Sequence, residues 1–169
     1  MRTPITYYGG KQRIAREIIS MMPGHKLYCE PFFGGGAVFF EKPKSGIEVI
    51  NDHDNNLINF YSCVQNRFEE LPELIRQTLH PETLYYHAKD IWNKRVDAND
   101  IEKAWAVWLI TNGSFAGSMH GGWKWCNGTS GGQSATMIMN KRNEFSEQLH
   151  KRLERVQISC RDALRVIQD

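Results

Sequence analysis

Glycine runs set beside isolated acids are the residues of this chain with chemistry in reach. Tyr7-Tyr8-Gly9-Gly10-Lys11 comes first, then Glu30-Pro31-Phe32-Phe33-Gly34-Gly35-Gly36, then Asn51-Asp52. Glycine lets backbone approach a ligand closely, and an acid ending the next strand can accept hydrogen bonds from ribose hydroxyls. A nucleotide-type ligand is therefore expected. The spacing departs from Gly-x-Gly-x-x-Gly, and Glu30 stands beside the turn, where it would repel a pyrophosphate. A ligand with a positive end suits Glu30 instead. Gly9-Gly10-Lys11 at a helix start can hold a carboxylate through backbone N–H groups and the lysine ammonium. Taken singly, Gly34-Gly35-Gly36 is also just a flexible turn and Asp52 a solvated strand end.

The elements that must position these residues are legible from periodicity. Residues 11–22 place Ile14, Ile18, Ile19 and Met22 at helical spacing, and Pro23-Gly24 ends that helix. Residues 26–30 and 47–51 are short apolar runs that lead into the glycines and into Asp52, and each precedes a helical segment, 36–41 and 55–66. Such punctuation predicts βαβ units and a parallel sheet. Between residues 68 and 111 the pattern is helical, over 69–79, 82–94 and 100–111, with Trp105 and Trp108 at core spacing. Residues 112–134, rich in Gly, Ser and Trp, predict a surface loop with at most a hairpin. A charged amphipathic helix is expected over 141–155, then a third strand at 156–160, followed by Arg161-Asp162 and a short helix.

Composition narrows the class. With 169 residues, 41% of them hydrophobic, one domain with an insert is expected, and a net charge of +2 demands local clustering for any polyanion contact. No apolar run is long enough to cross a bilayer and the start carries no secretory signal, so a cytoplasmic protein without membrane contact is expected. Cys29, Cys63, Cys126 and Cys160 form no Cys-x-x-Cys pair and the histidines form no ligand cluster with them, which predicts no metal site and four reduced, structural thiols.

In this order the three motifs resemble the Dam-like, D12-class N6-adenine DNA methyltransferases. The resemblance implies an α/β fold, a partial Rossmann-like doubly wound methyltransferase sheet with a mostly helical recognition insert. Its division would be a core part binding S-adenosyl-L-methionine at residues 1–66, a target-recognition insert at 67–140 and a return to the core at 141–169. The cofactor residues it implies are Tyr7, Tyr8, Gly9, Gly10, Lys11, Glu30, Pro31, Phe32, Gly34, Gly36 and Asp52. Asp162 looks like the family's acid near the cofactor's adenine amino group, and reads equally as a helix cap. Residues 112–117 followed by 121–125 look like the family's DNA-reading loop. There Trp123 and Trp125 would meet bases, while His120, Lys124, Lys141 and Arg142 would meet phosphates of double-stranded DNA.

The family's Asp-Pro-Pro-Tyr, which orients the target amine, has no counterpart: the six prolines all stand apart. No catalytic residue is therefore expected in this chain, which ends at Asp169 after the third strand. Three readings follow. The chain is one subunit of a split adenine methyltransferase, as in a restriction-modification system, completed by a chain carrying the tetrapeptide. Alternatively it is a truncated single-chain enzyme, or a non-catalytic module that binds DNA or senses S-adenosylmethionine. Half a doubly wound sheet would leave its last strand with an apolar edge, which calls for a tight, obligate partner.

Overall fold

The computed structural model describes residues 1–127 and 133–168; the stretch 128–132 of the expected Gly-Ser-Trp loop lies outside them. Three parallel strands, β1 (Leu27–Glu30), β2 (Ile47–Asn51) and β3 (Gln157–Ser159), lie in the order β1-β2-β3, with Cys29 opposite Val49 and Ile50 opposite Ile158. Helix α1 (Ala15–Ser20) precedes β1, α2 (Ala37–Glu41) links β1 to β2, and α3 (Asn55–Asn66) leaves β2. The connection onward to β3 carries α4 (Leu71–Gln77), α5 (Glu82–Trp92), α6 (Asp100–Gly113), α7 (Ser134–Glu144) and α8 (Glu147–Leu153). Helix α9 (Ala163–Gln168) follows β3. The expected mixed α/β architecture, a partial Rossmann-like sheet with a helical insert, is what the chain adopts.

Strand alternation divides the sheet into two unlike faces. Tyr28, Glu30, Glu48 and Ile50 are buried on the face that α2, α3 and α8 cover. Leu27 and Ile47 point the other way and remain 55% and 48% exposed, with Cys29 and Val49 half-buried between them. Parallel sheets ordinarily bury both faces, so this one is half-covered among the described residues.

Helix α6 is the pillar of the insert. Asn99 caps it, accepting from Ile101 N and Glu102 N while the Glu102 carboxylate accepts from Asn99 N. This capping box fixes the start of a helix that is apolar on every side, buries Trp105 and Trp108, and packs against α3, α4, α5 and α7. Beneath the sheet, Glu48 is buried between Lys42 and Arg152, and the Arg152 guanidinium also donates to Phe39 O and lies 3.5 Å from the Phe39 ring centroid.

Several expectations are revised. The first helix is a 3-10 turn at Lys11–Arg13 followed by the short α1, since Gly10 brings a tight turn in which its N–H bonds Tyr7 O. The single helix expected over 141–155 is two, α7 and α8, broken where Phe145 turns its ring into the core against Phe60 and Phe68. Asn112 and Gly113 belong to α6, not to the loop, and Ser134 already opens α7. Of the four free thiols only Cys63 is buried; Cys126 and Cys160 are exposed. The open sheet edge is not confined to the last strand either. Strand β1, which leads into the glycine turn, has no neighbour on its outer side among the described residues.

Candidate cofactor and DNA site

The glycine turn closes the carboxyl end of β1. Gly36 holds φ +66, and a Cβ there would lie 2.6 Å from Phe33 Cζ. A Cβ on Gly35 would lie 2.8 Å from Tyr7 Cβ, so the two motifs are packed against one another, backbone to ring. Asp52 ties the turn from the next strand: its Oδ2 accepts from Gly34 N at 2.9 Å and its Oδ1 from Asp54 N at 3.1 Å. The buried Tyr61 hydroxyl donates to Gly34 O from α3. Asn51 spans the strand ends, donating to Pro31 O and Arg161 O and accepting from Arg161 N.

These ties enclose a cavity of about 150 Å³ lined by Tyr7–Lys11, Phe32–Ala37 and Asp52. The structure thus brings together Tyr7, Tyr8, Gly9, Gly10, Lys11, Phe32, Gly34, Gly36 and Asp52. Burial raises the Tyr7 phenol above its ordinary range, with help from Asp52 and Asp54. Pro31 does not line the cavity; its carbonyl serves Asn51. Glu30 lies one layer behind: its Oε2 accepts from the Tyr28 hydroxyl at 2.8 Å, and its buried Oε1 has no hydrogen-bond partner among the described residues and sits 3.5 Å from Lys11 Nζ. Burial raises its carboxyl above the usual range, against the lowering pull of Tyr28 and Lys11.

Asp162 does not line this cavity. Its Oδ1 accepts from Leu164 N and Arg165 N, the geometry of a cap at the start of α9, so of its two readings the cap is the one realised in these contacts.

A second cavity, about 220 Å³, shares Tyr7 and Tyr8 with the first and is completed by Asp54, Trp92 and residues 117–120. The loop at residues 117–120 therefore borders the glycine turn, with His120 exposed at the rim. Asn112 makes that join: its Oδ1 accepts from Thr6 N and Thr6 Oγ1, and its Nδ2 donates to Pro4 O and Trp108 O. Gly117, at φ +69, lies so close that a Cβ would meet Thr6 O at 2.6 Å. Sequence reasoning missed Trp92 and Tyr61 as parts of this region, and it placed Asn112 in the DNA-reading loop without the join to Thr6. A polar amide ending an otherwise apolar helix was the one visible signal, for Asn112.

The expected DNA-facing residues divide. Trp125 is 56% exposed. Trp123, expected to face DNA, instead turns inward: it packs on the core, stands 5.1 Å from the His80 ring and buries its Nε1. Its backbone forms an isolated antiparallel bridge with Ser114. Lys124 reaches Met137, Lys141 donates to Thr3 O, and Arg142 donates to Thr78 O, so each of these cations already has a partner within the chain. Lys141 lines a different cavity of about 660 Å³ with Arg2, Arg13 and Arg16.

The parallel sheet and the glycine turn at its carboxyl end define an α/β protein of partial Rossmann-like type, and comparison sharpens the class. Residues 7–167 match the family of D12 class N6 adenine-specific DNA methyltransferases, so the chain belongs to that family. Among its relatives, the DNA N-6-adenine-methyltransferase of Escherichia phage P1 is 31% identical over 121 residues, 69% of this chain and 16% of the relative. The type II methyltransferase M1.LlaDCHI of Lactococcus lactis subsp. cremoris is 42% identical over 69 residues, 40% of this chain and 24% of the relative. The DNA adenine methylase of Escherichia coli K12 is 30% identical over 100 residues, 57% of this chain and 36% of the relative. The matched segments thus span little more than a third of these relatives at most.

Proposed function

We propose that these residues are the S-adenosylmethionine-binding and DNA-recognition part of a site-specific adenine-N6 DNA methyltransferase, completed by a second polypeptide carrying Asp-Pro-Pro-Tyr. The carrying observation is the cavity where Tyr7–Lys11, the glycine turn and Asp52 meet at the carboxyl end of β1. Ligands of doubly wound sheets bind at that end, where the strand order reverses. The order β1-β2-β3 runs in one direction only, so a reversal requires a further strand beside β1. The open edge of β1 and the exposed Leu27 and Ile47 support completion from outside these residues.

The residues fit such a cofactor. Gly35 and Gly36, which admit no Cβ because Tyr7 and Phe33 abut them, keep the turn tight against the first motif where both line the cavity, Asp52 offers carboxylate oxygens to a ribose, and Glu30 Oε1 offers an acceptor to a positive group. Lys11 must swing from Glu30 for a cationic group to reach it, and its ammonium is then free to pair with a carboxylate. When bound, the cofactor supplies an electrophilic methyl group. The task of these residues is to orient it and to exclude water, while the two amine acceptors come from the completing strand.

Purified by itself, the 169-residue chain is expected to transfer no radiolabelled methyl group to DNA, and to gain activity when a polypeptide carrying the tetrapeptide is added. Robust transfer without it would overturn the proposal, and a native protein of one longer polypeptide would replace the second chain by a continuation of this one. Asp52→Ala in the assembled enzyme should weaken cofactor binding by about 1.5–3 kcal/mol, measured by calorimetry. Unchanged affinity would remove Asp52 from the site.

A further inference from the structure

Two residues apart on β1, Tyr28 and Glu30 leave the same face of the strand. The Tyr28 hydroxyl donates to Glu30 Oε2 at 2.8 Å, and both side chains are buried. That bond leaves Oε1 as the oxygen nearest Lys11, which in turn lines the cavity. The phenol is held in place from behind. Lys42 Nζ lies 4.3 Å from its ring centroid, and the same ammonium is bonded to Glu48, which Arg152 also grips. A chain of contacts thus runs from the buried ion cluster under the sheet, through one aromatic ring, to the acid behind the glycine turn.

We propose that Tyr28 is a positioning residue for the cofactor site: its hydroxyl fixes the Glu30 carboxylate with Oε1 turned toward Lys11 and the cavity. The inference rests on Glu30 being the partner of the cofactor's positive end. A carboxylate buried without donors would tend to take up a proton, and a hydrogen bond to its charged form opposes that. Burial and the neighbouring Glu30 carboxylate push the Tyr28 phenol far above its usual range, so it stays a donor at every pH the protein meets. The groups around Glu30 are few. Lys11 approaches from the 3-10 turn, backbone at Phe39 from α2, Tyr61 from α3 and Cys29 from β1 itself, while Glu48 and Arg152 act on Tyr28. Among the described residues, only Tyr28 and Lys11 hold the carboxylate through side-chain contacts.

The test is calorimetric titration of the assembled methyltransferase with S-adenosylmethionine across pH, for the wild type, Tyr28→Phe and Glu30→Gln. Tyr28→Phe keeps the ring under Lys42 and removes one hydroxyl. Affinity should fall roughly tenfold at neutral pH, as for loss of a hydrogen bond to a charged group. The acid-side loss of binding should also begin at higher pH, because Glu30 protonates sooner without its donor. In the ligand-free protein, the Glu30 carboxyl followed by NMR should titrate at higher pH in the Phe variant. This second measurement does not depend on binding. Glu30→Gln should bind weakly and lose the acid limb. If Glu30→Gln binds like the wild type with the same pH profile, the reading of Glu30 fails. If it weakens binding while Tyr28→Phe moves neither the profile nor the Glu30 titration, the role given to Tyr28 is overturned.

Discussion

The glycine turn and the Trp loop border the same pair of tyrosines, yet they are held in opposite ways. Around the turn, side chains from β2 and α3 bond its backbone at both N–H and carbonyl: Asp52 to Gly34 N, Tyr61 to Gly34 O, Asn51 across three segments. The loop is tethered at its root by long side chains that reach its carbonyls. Lys89 donates to Met119 O, Tyr85 to Gly121 O, and His80 bonds Lys124 O. Beyond Lys124 the exposed Trp125, Cys126 and Asn127 run outward. A pocket whose backbone is held on both sides costs little to organise when a small ligand of one shape enters it.

The difference can be broken most severely at Gly36. Gly36→Val forces a β-branched residue into left-handed backbone and drives it into the Phe33 ring. A loss of about 3 kcal/mol in denaturant unfolding is expected, with cofactor binding abolished. A variant of near-native stability would mean that the turn has slack, and the contrast with the loop would dissolve.

The next largest effect should come from the residue that joins the two regions. Asn112→Ala removes the acceptor of Thr6 N and Thr6 Oγ1 and the donor to Pro4 O. About 2 kcal/mol of stability should be lost by thermal melting, since partly buried backbone groups are left unpaired. Both cofactor and DNA affinity should fall together. A fall in only one of them would show that turn and loop are positioned independently.

What the sequence disclosed follows the same division. Strand ends, glycines and Asp52 were legible because a close backbone approach admits few residue types, so composition and geometry carry the same information. The helices were legible in kind, but α7 and α8 merged in the reading because their break depends on Phe145 finding a place beside Phe60 and Phe68. Such tertiary packing leaves no local mark. Glu30 was singled out for its charge beside the turn, while its position behind Lys11 and its bond to Tyr28 were not legible. A tyrosine in a buried strand ordinarily reads as core.

The smallest expected effect on the fold, and the sharpest for the comparison, lies between the two tryptophans of the loop. Trp123 and Trp125 stand in the same glycine-rich setting, and sequence reasoning gave them one role. In the structure Trp123 packs against His80 and the core, and Trp125 projects. Trp125→Ala should leave stability within about 0.5 kcal/mol of the wild type. Its cost should appear in DNA affinity, on the order of 1–3 kcal/mol if the ring stacks on a base. Trp123→Ala should show the reverse order, with destabilisation first and weaker DNA binding only as its consequence. Fluorescence-anisotropy titration of a DNA duplex, paired with thermal melting of both variants, separates these outcomes. If instead Trp123→Ala melts like the wild type and loses DNA binding, its inward orientation belongs to the free protein alone, and the ring must swing outward to meet the duplex.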